Sequence, residues 1–230
     1  MDPRGQLRPL FARPRFAILY ATRLTSQASD GIFQACLAGY VLFSPQRATS
    51  PGTIAISLAI VLLPFSVIGP FTGIILDRVP RQRALVASSV IRAGLLVVLA
   101  ALIAAGHTGV DFYAAALTIF SVSRFVNAAL SACLPVVVPP SDDKALVTAN
   151  ALTTTSGTIA TLLGAGIGSG LRGLIGGDDR QLAIVAAVAA ASYLAAALTA
   201  SRAGRADFGP LEPKPWAAAL GQVSDVADDL

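Results

Sequence analysis

Charge is scarce in this 230-residue chain: 13% of its residues are charged, and a single one of them is a glutamate. Soluble domains average about 25% charged residues, so the composition excludes an ordinary soluble globular protein. The formal net charge is +4, but the basic residues are spread over separate loops rather than gathered in one patch. That distribution argues against a nucleic-acid partner and is typical of a membrane protein.

Residues that usually bind metals or act as nucleophiles are rare as well. The two cysteines, Cys36 and Cys133, lie in apolar stretches, which predicts small buried side chains rather than a disulfide or a metal pair. The single histidine, His107, lies between two such stretches, where we expect a solvated side chain. The sequence has no phosphate-binding glycine loop and no Ser–His–Asp set. It therefore predicts no enzyme activity, no cofactor and no metal site.

Six long apolar stretches make up most of the chain. Each is long enough to cross a hydrocarbon core of about 30 Å as a helix, which takes roughly 20 residues. They cover residues 16–43, 53–76, 84–105, 112–138, 146–175 and 182–201. The first is too long for the apolar core of a signal peptide and carries Arg23 and Asp30, so we expect it to stay in the protein as a membrane helix. The predicted fold class is an all-α integral membrane bundle of six transmembrane helices.

The basic residues predict how these helices are oriented. If the N-terminus is inside, eleven of the seventeen Lys and Arg residues lie in inner segments and three lie in outer segments. The positive-inside rule therefore predicts that both termini are cytoplasmic. The expected organisation is a basic cytoplasmic N-terminus over residues 1–15, the helix bundle over 16–201, and a cytoplasmic linker over 202–230 that contains a short amphipathic helix.

The turn between the second and third apolar stretches carries a distinctive charge pattern. From Gly73 it reads GIILDRVPRQR, which places Asp77, Arg78, Arg81 and Arg83 at fixed spacings. Any short cytoplasmic turn collects arginines, but the pattern Gly-x-x-x-Asp-Arg-x-x-Arg resembles the loop motif of the major facilitator superfamily. The resemblance implies that these five residues form a conformational-gating loop whose aspartate contacts the other half of a larger transporter.

Polar side chains within two of the apolar stretches form stripes. They recur at steps of three and four, so each set shares one helical face that must point at protein or water rather than lipid. The stripes consist of Arg23, Gln27, Asp30 and Gln34 in the first stretch, and of Arg124, Asn127 and Ser131 in the fourth.

Asp30 and Arg124 are predicted to form a pair. Each lies about 21 Å from the cytoplasmic end of its stretch at 1.5 Å per residue. One interpretation is a static ion pair between the two helices. The other is a protonatable Asp30, because a low-dielectric site favours the neutral carboxyl and a nearby arginine opposes this. Arg23 and Arg92 lie closer to the cytoplasmic ends, where each either extends to the interface or lines the inner mouth of a cavity.

Small residues mark one face of the fifth stretch. Gly157, Gly164 and Gly168 recur at steps of seven and four, which favours close packing against another helix. The alternative is a bend: the segment that begins at Gly164 has part of the glycine-rich pattern that bends the fifth helix of antiporters in the same superfamily.

The segments around Asp30, Arg124 and Asn150 resemble the macrolide- and siderophore-exporting branch of that superfamily. The resemblance implies half of a transporter, built as two inverted three-helix repeats. It also implies proton-coupled export of amphipathic small molecules or drugs across the cell membrane, with Asp30 and Arg124 in the coupling. Implied partners are the lipid bilayer, the substrate, protons, and either a second six-helix half or another copy of the chain. The alternative is a six-span scaffold or binding module that does not transport.

Overall fold

The computed structural model describes residues 8–41, 73, 75–107, 109–138, 143–175 and 178–209. These residues contain five long helices and no strand. The helices are α1 (Pro14–Val41), α2 (Arg81–Ala104), α3 (Val110–Val137), α4 (Asp143–Ile175) and α5 (Asp179–Ser201). The predicted second span over 53–76 lies mostly outside the described residues, and so do residues 1–7 and the predicted short helix near the C-terminus.

Four of the described helices are long and apolar enough to cross a membrane, namely α2, α3, α4 from Lys144 onward, and α5. Each coincides with a predicted span to within a few residues. Helix α1 is continuous over 28 residues and covers the first predicted span up to Val41. It is not among the four because its polar stripe lowers its mean hydropathy. The all-helical class is therefore confirmed for the described residues, while six spans and an inverted repeat remain predictions.

Local sequence explains two of the helix ends. Helix α2 ends in a Schellman motif: Gly106 has a φ of +73°, and the amides of Gly106 and His107 donate to the carbonyls of Ile103 and Leu102. Glycine fits there because a left-handed residue with a Cβ is strained. Helix α5 begins at a capping box in which the Gln181 side chain accepts from the amide of Asp178 at 3.0 Å.

Most of the contacts between helices involve α1 or α5. Helix α1 contacts mainly α4 and α5, and α2 contacts mainly α5 and α3. Two apolar clusters form at different heights of the bundle. The Tyr40 cluster includes Phe33, Tyr40, Leu96, Phe112 and Leu182, and the Phe16 cluster includes Phe16, Leu85, Leu134, Ala200 and Phe208. Buried polar residues of α1, α2 and α3 lie between the two clusters along the helix axes.

Helices α1 and α4 meet backbone to backbone. A Cβ added at Gly31 would collide with the carbonyl oxygen of Thr161, and one added at Gly164 would collide with the carbonyl oxygen of Ala28. A Cβ at Gly168 would lie 3.1 Å from the carbonyl oxygen of Ile32. Glycines allow this approach because they remove the side chains that normally separate two helices. The three glycines of α4 that were predicted to pack against another helix all contact α1, and they are Gly157, Gly164 and Gly168.

Candidate functional site

An ion pair between α1 and α2 lies at the centre of the polar layer. The Nη1 of Arg92 donates to Oδ1 of Asp30 at 3.1 Å. Arg92 is 0% exposed and Asp30 is 6% exposed. Among the described residues, Asp30 is the one carboxylate that is buried. A charge in such a place is tolerated only when it is paired and hydrogen-bonded, and this pair meets both conditions.

Hydroxyl groups from two more helices complete the surroundings of the carboxylate. The Ser123 hydroxyl of α3 donates to Asp30 Oδ1 at 2.9 Å, and the Tyr193 hydroxyl of α5 donates to the same oxygen. Three donors, including Arg92, thus converge on one carboxylate oxygen. Hydrogen bonds of this kind are what allow a polar group to be buried.

The guanidinium of Arg92 is held by a second set of hydroxyls. Its Nη2 donates to Ser26 at 3.0 Å and to Ser89 at 3.2 Å, and its Nη1 donates to Ser123 at 3.3 Å. The guanidinium carbon lies 4.1 Å from the ring centroid of Tyr193, which is a cation–π contact. The network therefore joins α1, α2, α3 and α5 through two charges and four hydroxyls.

This ion pair gives Asp30 a direct partner that the sequence did not predict. Arg124, the predicted partner, lines the same cavity as Asp30 and interacts with it electrostatically, while Arg92 makes the direct contact. Arg92 was expected to extend to the interface or to line an inner cavity mouth, and instead it is fully buried. The prediction compared how far each residue lies from the cytoplasmic end of its helix, and it did not consider which helix faces contact each other. Helix α2 also begins at Arg81, three residues before the predicted span, so Arg92 lies about 4.5 Å farther from the start of its helix than counted.

Sequence reasoning missed the four hydroxyl residues of the network. Ser26 precedes Asp30 by four residues and Ser89 precedes Arg92 by three, so their spacing already placed each beside its charge on one helical face. Ser123 directly precedes Arg124. Tyr193 is the one aromatic residue of alanine-rich α5, which was an available signal for a special environment.

A cavity of about 250 Å³ adjoins the network between α1, α3 and α4. Its wall combines polar and apolar side chains: Gln27, Asp30, Phe33, Gln34, Phe120, Ser123, Arg124, Asn127, Thr158, Thr161 and Leu162. Both predicted stripes therefore reach one space, with Gln27, Asp30 and Gln34 on one side and Arg124 and Asn127 on another. Arg92 lies behind this wall and is connected to the cavity through Asp30.

One polar contact bridges the cavity wall from α1 to α3. The Gln27 Nε2 donates to Asn127 Oδ1 at 3.2 Å. The Oε1 of Gln27 is buried without a hydrogen-bond partner among the described residues. It lies where a Cβ on Gly157 would be, so the glycine makes room for this amide.

Arg23 is the residue of the α1 stripe that does not line the cavity. It is 6% exposed, and in the described part of the chain its Nε and Nη1 have no hydrogen-bond partner. It lies on the same helical face as Gln27, one turn toward the N-terminus of α1. A buried guanidinium with unused donors is unusual because unmade hydrogen bonds to a charge are costly.

The loop with the charge motif is tied to two other parts of the bundle through Arg81. Its Nη1 donates to the carbonyl of Ala132 in α3 at 2.8 Å and to that of Phe208 at 3.4 Å, and its Nη2 lies 4.0 Å from Asp77 Oδ1. The Arg81 amide donates to the carbonyl of Gly209 at 2.9 Å. Of the other motif residues, Arg78 is buried, whereas Gly73 and Arg83 are exposed.

The residues after α5 fold back under the bundle and meet this loop. Phe208 is fully buried in the Phe16 cluster, together with Ala203. The Asp207 carboxylate accepts from the amide of Gly204 at 2.7 Å and pairs with Arg15 of α1 at 2.9 Å. We refer to residues 202–209 as the return segment. It connects the charge-motif loop with the ends of α1 and α5.

No protein-family model matches the chain. The chain is 36% identical over 197 residues to uncharacterised MFS-type transporters of Mycobacterium bovis and Mycobacterium tuberculosis, and these alignments cover 86% of the chain and 44% of each relative. It is 34% identical over 155 residues to an uncharacterised protein of Mycobacterium leprae, which covers 64% of the chain and 26% of that relative. The chain thus spans less than half the length of these relatives.

The long apolar helices and these similarities agree with each other. Helices that can cross a membrane favour a multi-pass membrane protein, and the names of the two relatives that align with most of the chain describe transporters rather than enzymes. The findings therefore support the assignment of this chain to the major facilitator superfamily of membrane transporters.

Proposed function

We propose that the chain is the N-terminal half of a proton-coupled exporter of amphipathic small molecules, in which Asp30 carries the proton. The observation that carries the proposal is the position of this carboxylate. Asp30 is buried, yet it forms part of a cavity wall and contacts Arg92, Ser123 and Tyr193 on three other helices. An ionisable group in that position in a membrane bundle is a candidate proton carrier.

Protonation of Asp30 would change the network that joins the helices. A neutral carboxyl would no longer balance the charge of Arg92, 3.1 Å away. It would also carry a hydrogen-bond donor of its own, beside the donors of Arg92, Ser123 and Tyr193. The hydroxyls of Ser123 and Tyr193 would then need other acceptors. Proton binding would thereby shift the relative stability of two helix arrangements, which is what coupling requires.

The composition of the cavity wall supports an amphipathic substrate. Phe33, Phe120 and Leu162 supply apolar surface, while amides, hydroxyls and Arg124 supply polar groups. Small-molecule sites combine surfaces in this way, usually within about 300–1,000 Å³. A volume of about 250 Å³ suits part of a substrate, so the remaining wall would come from another half.

The exposed face of α4 supports a partner for this bundle. Of an apolar 18-residue stretch of α4, 17% is buried, against 39–44% for the corresponding stretches of α2, α3 and α5. Large apolar side chains on that face are exposed, among them Ile159, Leu162, Leu163 and Ile167. The proposed partner is a second six-helix half or another copy, in the cell membrane with both termini cytoplasmic. In this arrangement the loop from Gly73 to Arg83 would gate the movement of the halves.

The test is substrate flux driven by a pH gradient in vesicles that contain the purified protein. The probes are fluorescent amphipathic dyes that are anionic, neutral or cationic. We expect gradient-driven flux of at least one dye, and we expect Asp30→Asn to abolish it while the protein still inserts. Asp111→Asn is the matched control because Asp111 is an exposed carboxylate outside the network, and its flux should equal that of the wild type.

Unchanged flux in the Asp30→Asn variant would refute the role of Asp30. Absence of flux for every dye would favour the alternative, a six-span scaffold or binding module. One observation speaks for that alternative: the hydrogen bonds around Asp30 and Arg92 are extensive enough for a static structural pair.

A further inference from the structure

The interior of the bundle carries more positive than negative charge. Away from the helix ends, α1 to α5 contain three guanidinium groups and one carboxylate, which are Arg23, Arg92, Arg124 and Asp30. The predicted span over 53–76 adds no charged residue. The formal charge of this interior is therefore +2. Because charges inside a membrane are costly, such groups normally pair with one another or face a polar space.

Asp30 contacts Arg92 directly and interacts electrostatically with Arg124, so it leaves little to balance a third guanidinium, that of Arg23. Its Oδ1 already accepts from Arg92 at 3.1 Å, from Ser123 and from Tyr193. Arg23 lies seven residues before Asp30 along α1, about 10 Å at 1.5 Å per residue. The charge of Arg23 is therefore not balanced by direct contact with this carboxylate.

Arg23 also has hydrogen-bond donors to offer. The residue is 6% exposed, so water has little access to it. Its Nε and Nη1 are buried and lack an acceptor within the described ranges. A water molecule would satisfy an N–H group but would leave the charge unbalanced. An oxyanion would satisfy both, and guanidinium groups match carboxylate geometry well.

The position of Arg23 connects it with the cavity. It lies one turn, about 6 Å, from Gln27 on the same face of α1, and Gln27 lines the cavity that Arg124 also lines. An amphipathic molecule in the cavity thus meets one arginine on the wall and a second one beyond its end. A cationic molecule would meet the same two positive charges, and Asp30 is the one carboxylate among the described residues of the wall that could oppose them.

We propose that Arg23 is an oxyanion-binding residue and that the transported amphipathic molecule carries an anionic group, such as a carboxylate. The substrate part of this inference rests on the proposed transport function. The oxyanion has two possible sources, namely the small molecule or a carboxylate side chain from the remainder of a longer protein. The proposal commits to the small molecule.

The test is a binding comparison on the detergent-solubilised protein in a neutral detergent. The probes are dansyl-labelled undecanoate and its methyl ester, which share a fluorophore and chain length and differ in charge. We expect the wild type to bind the carboxylate about tenfold more tightly than the ester, because a single hydrogen bond to a charged group contributes an affinity difference of about that size. Arg23→Gln should abolish this preference, and Arg23→Lys should retain part of it because the charge remains.

Arg180→Gln is the matched control, since Arg180 is an exposed arginine in the first turn of α5 and should leave the preference unchanged. Each variant is first checked for a monodisperse peak and for its unfolding temperature. A wild type without preference, or an Arg23→Gln variant with the full preference, overturns the proposal. If Arg23→Gln alters the unfolding temperature and keeps the preference, Arg23 pairs with a carboxylate of the protein, which also overturns it.

The two proposals fail in different ways. Preference for the carboxylate without gradient-driven flux would refute transport and leave the oxyanion site standing. Gradient-driven flux without any preference for the carboxylate would refute the oxyanion site and leave transport standing.

Discussion

At the scale of single residues, the buried pair Asp30 and Arg92 has unequal consequences for single and double substitution. Each charge is tolerated because the other is 3.1 Å away. Removing one partner leaves an uncompensated buried charge, whereas removing both leaves neutral groups that can bond to the surrounding hydroxyls. The stability of the fold therefore depends on the balance between the two residues more than on the presence of either.

We predict that Arg92→Gln lowers the free energy of unfolding by about 3–5 kcal/mol, the usual cost of breaking a buried pair. The double variant Asp30→Asn with Arg92→Gln should lose clearly less. Thermal unfolding of the detergent-solubilised variants measures both effects, with exposed Arg83→Gln as control. Equal unfolding temperatures for Arg92→Gln and the wild type would contradict the pair's structural importance.

Residue patterns predicted which side chains lie inside the bundle but not which of them meet. The four polar positions of α1 form one face in the structure, as their spacing required, and Gln27, Asp30 and Gln34 line the cavity. The partner of Asp30 depended on how α2 is rotated and placed against α1. That rotation is set by tertiary packing, and no count along a single helix contains it.

At the scale of helices, the contact between α1 and α4 depends on the absence of side chains at particular positions. Gly164 packs against the carbonyl oxygen of Ala28, while Gly166, two residues later, has nothing within 4 Å of an added Cβ. The same substitution at these two positions therefore separates packing from helix propensity.

Gly164→Ala should destabilise the protein because its Cβ must push α1 away from α4. Gly166→Ala should be neutral or stabilising by up to about 1 kcal/mol, since alanine is the better helix former. Unfolding temperatures of the two variants, compared side by side, provide the measurement. If both variants behave alike, the backbone contact does not limit stability.

The return segment makes a second prediction at this scale. Phe208 is fully buried between the ends of the helices, so Phe208→Ala should cost about 3–5 kcal/mol, as large-to-small core changes do. It should also release residues 202–209, which limited proteolysis detects as faster cleavage there. Phe11→Ala is the control, because Phe11 is 42% exposed. Cleavage at the wild-type rate in the Phe208 variant would show that the segment is held by other contacts.

Helix positions were predicted better than the connections between helices. Uninterrupted apolar sequence and capping residues such as Gly106 define helix ends locally, so the described spans agree with the predicted ones within a few residues. The return segment was predicted only as a linker. Its fold depends on Arg81, more than a hundred residues earlier, and local sequence carries no sign of that contact.

At the scale of the whole molecule, composition and the distribution of charge indicated a membrane bundle, and the described helices and the relatives support this class. The inward position of the polar stripes followed from the cost of charge in lipid. The cavity did not follow from the sequence, because its walls come from three helices whose arrangement is fixed by glycine contacts and by the Asp30 network.

The backbone contact between α1 and α4 has a mechanical consequence. Side chains between two helices act as compliant spacers, and here the backbones touch without them. We therefore expect the two helices to move as one rigid unit. In this unit α1 presents Gln27 and Asp30 to the cavity, and α4 presents Thr158 and Thr161. A change in the width of the cavity would then come from movement of α3. The described side-chain links from α3 to α1 across the wall are the contacts of Asn127 with Gln27 and of Ser123 with Asp30.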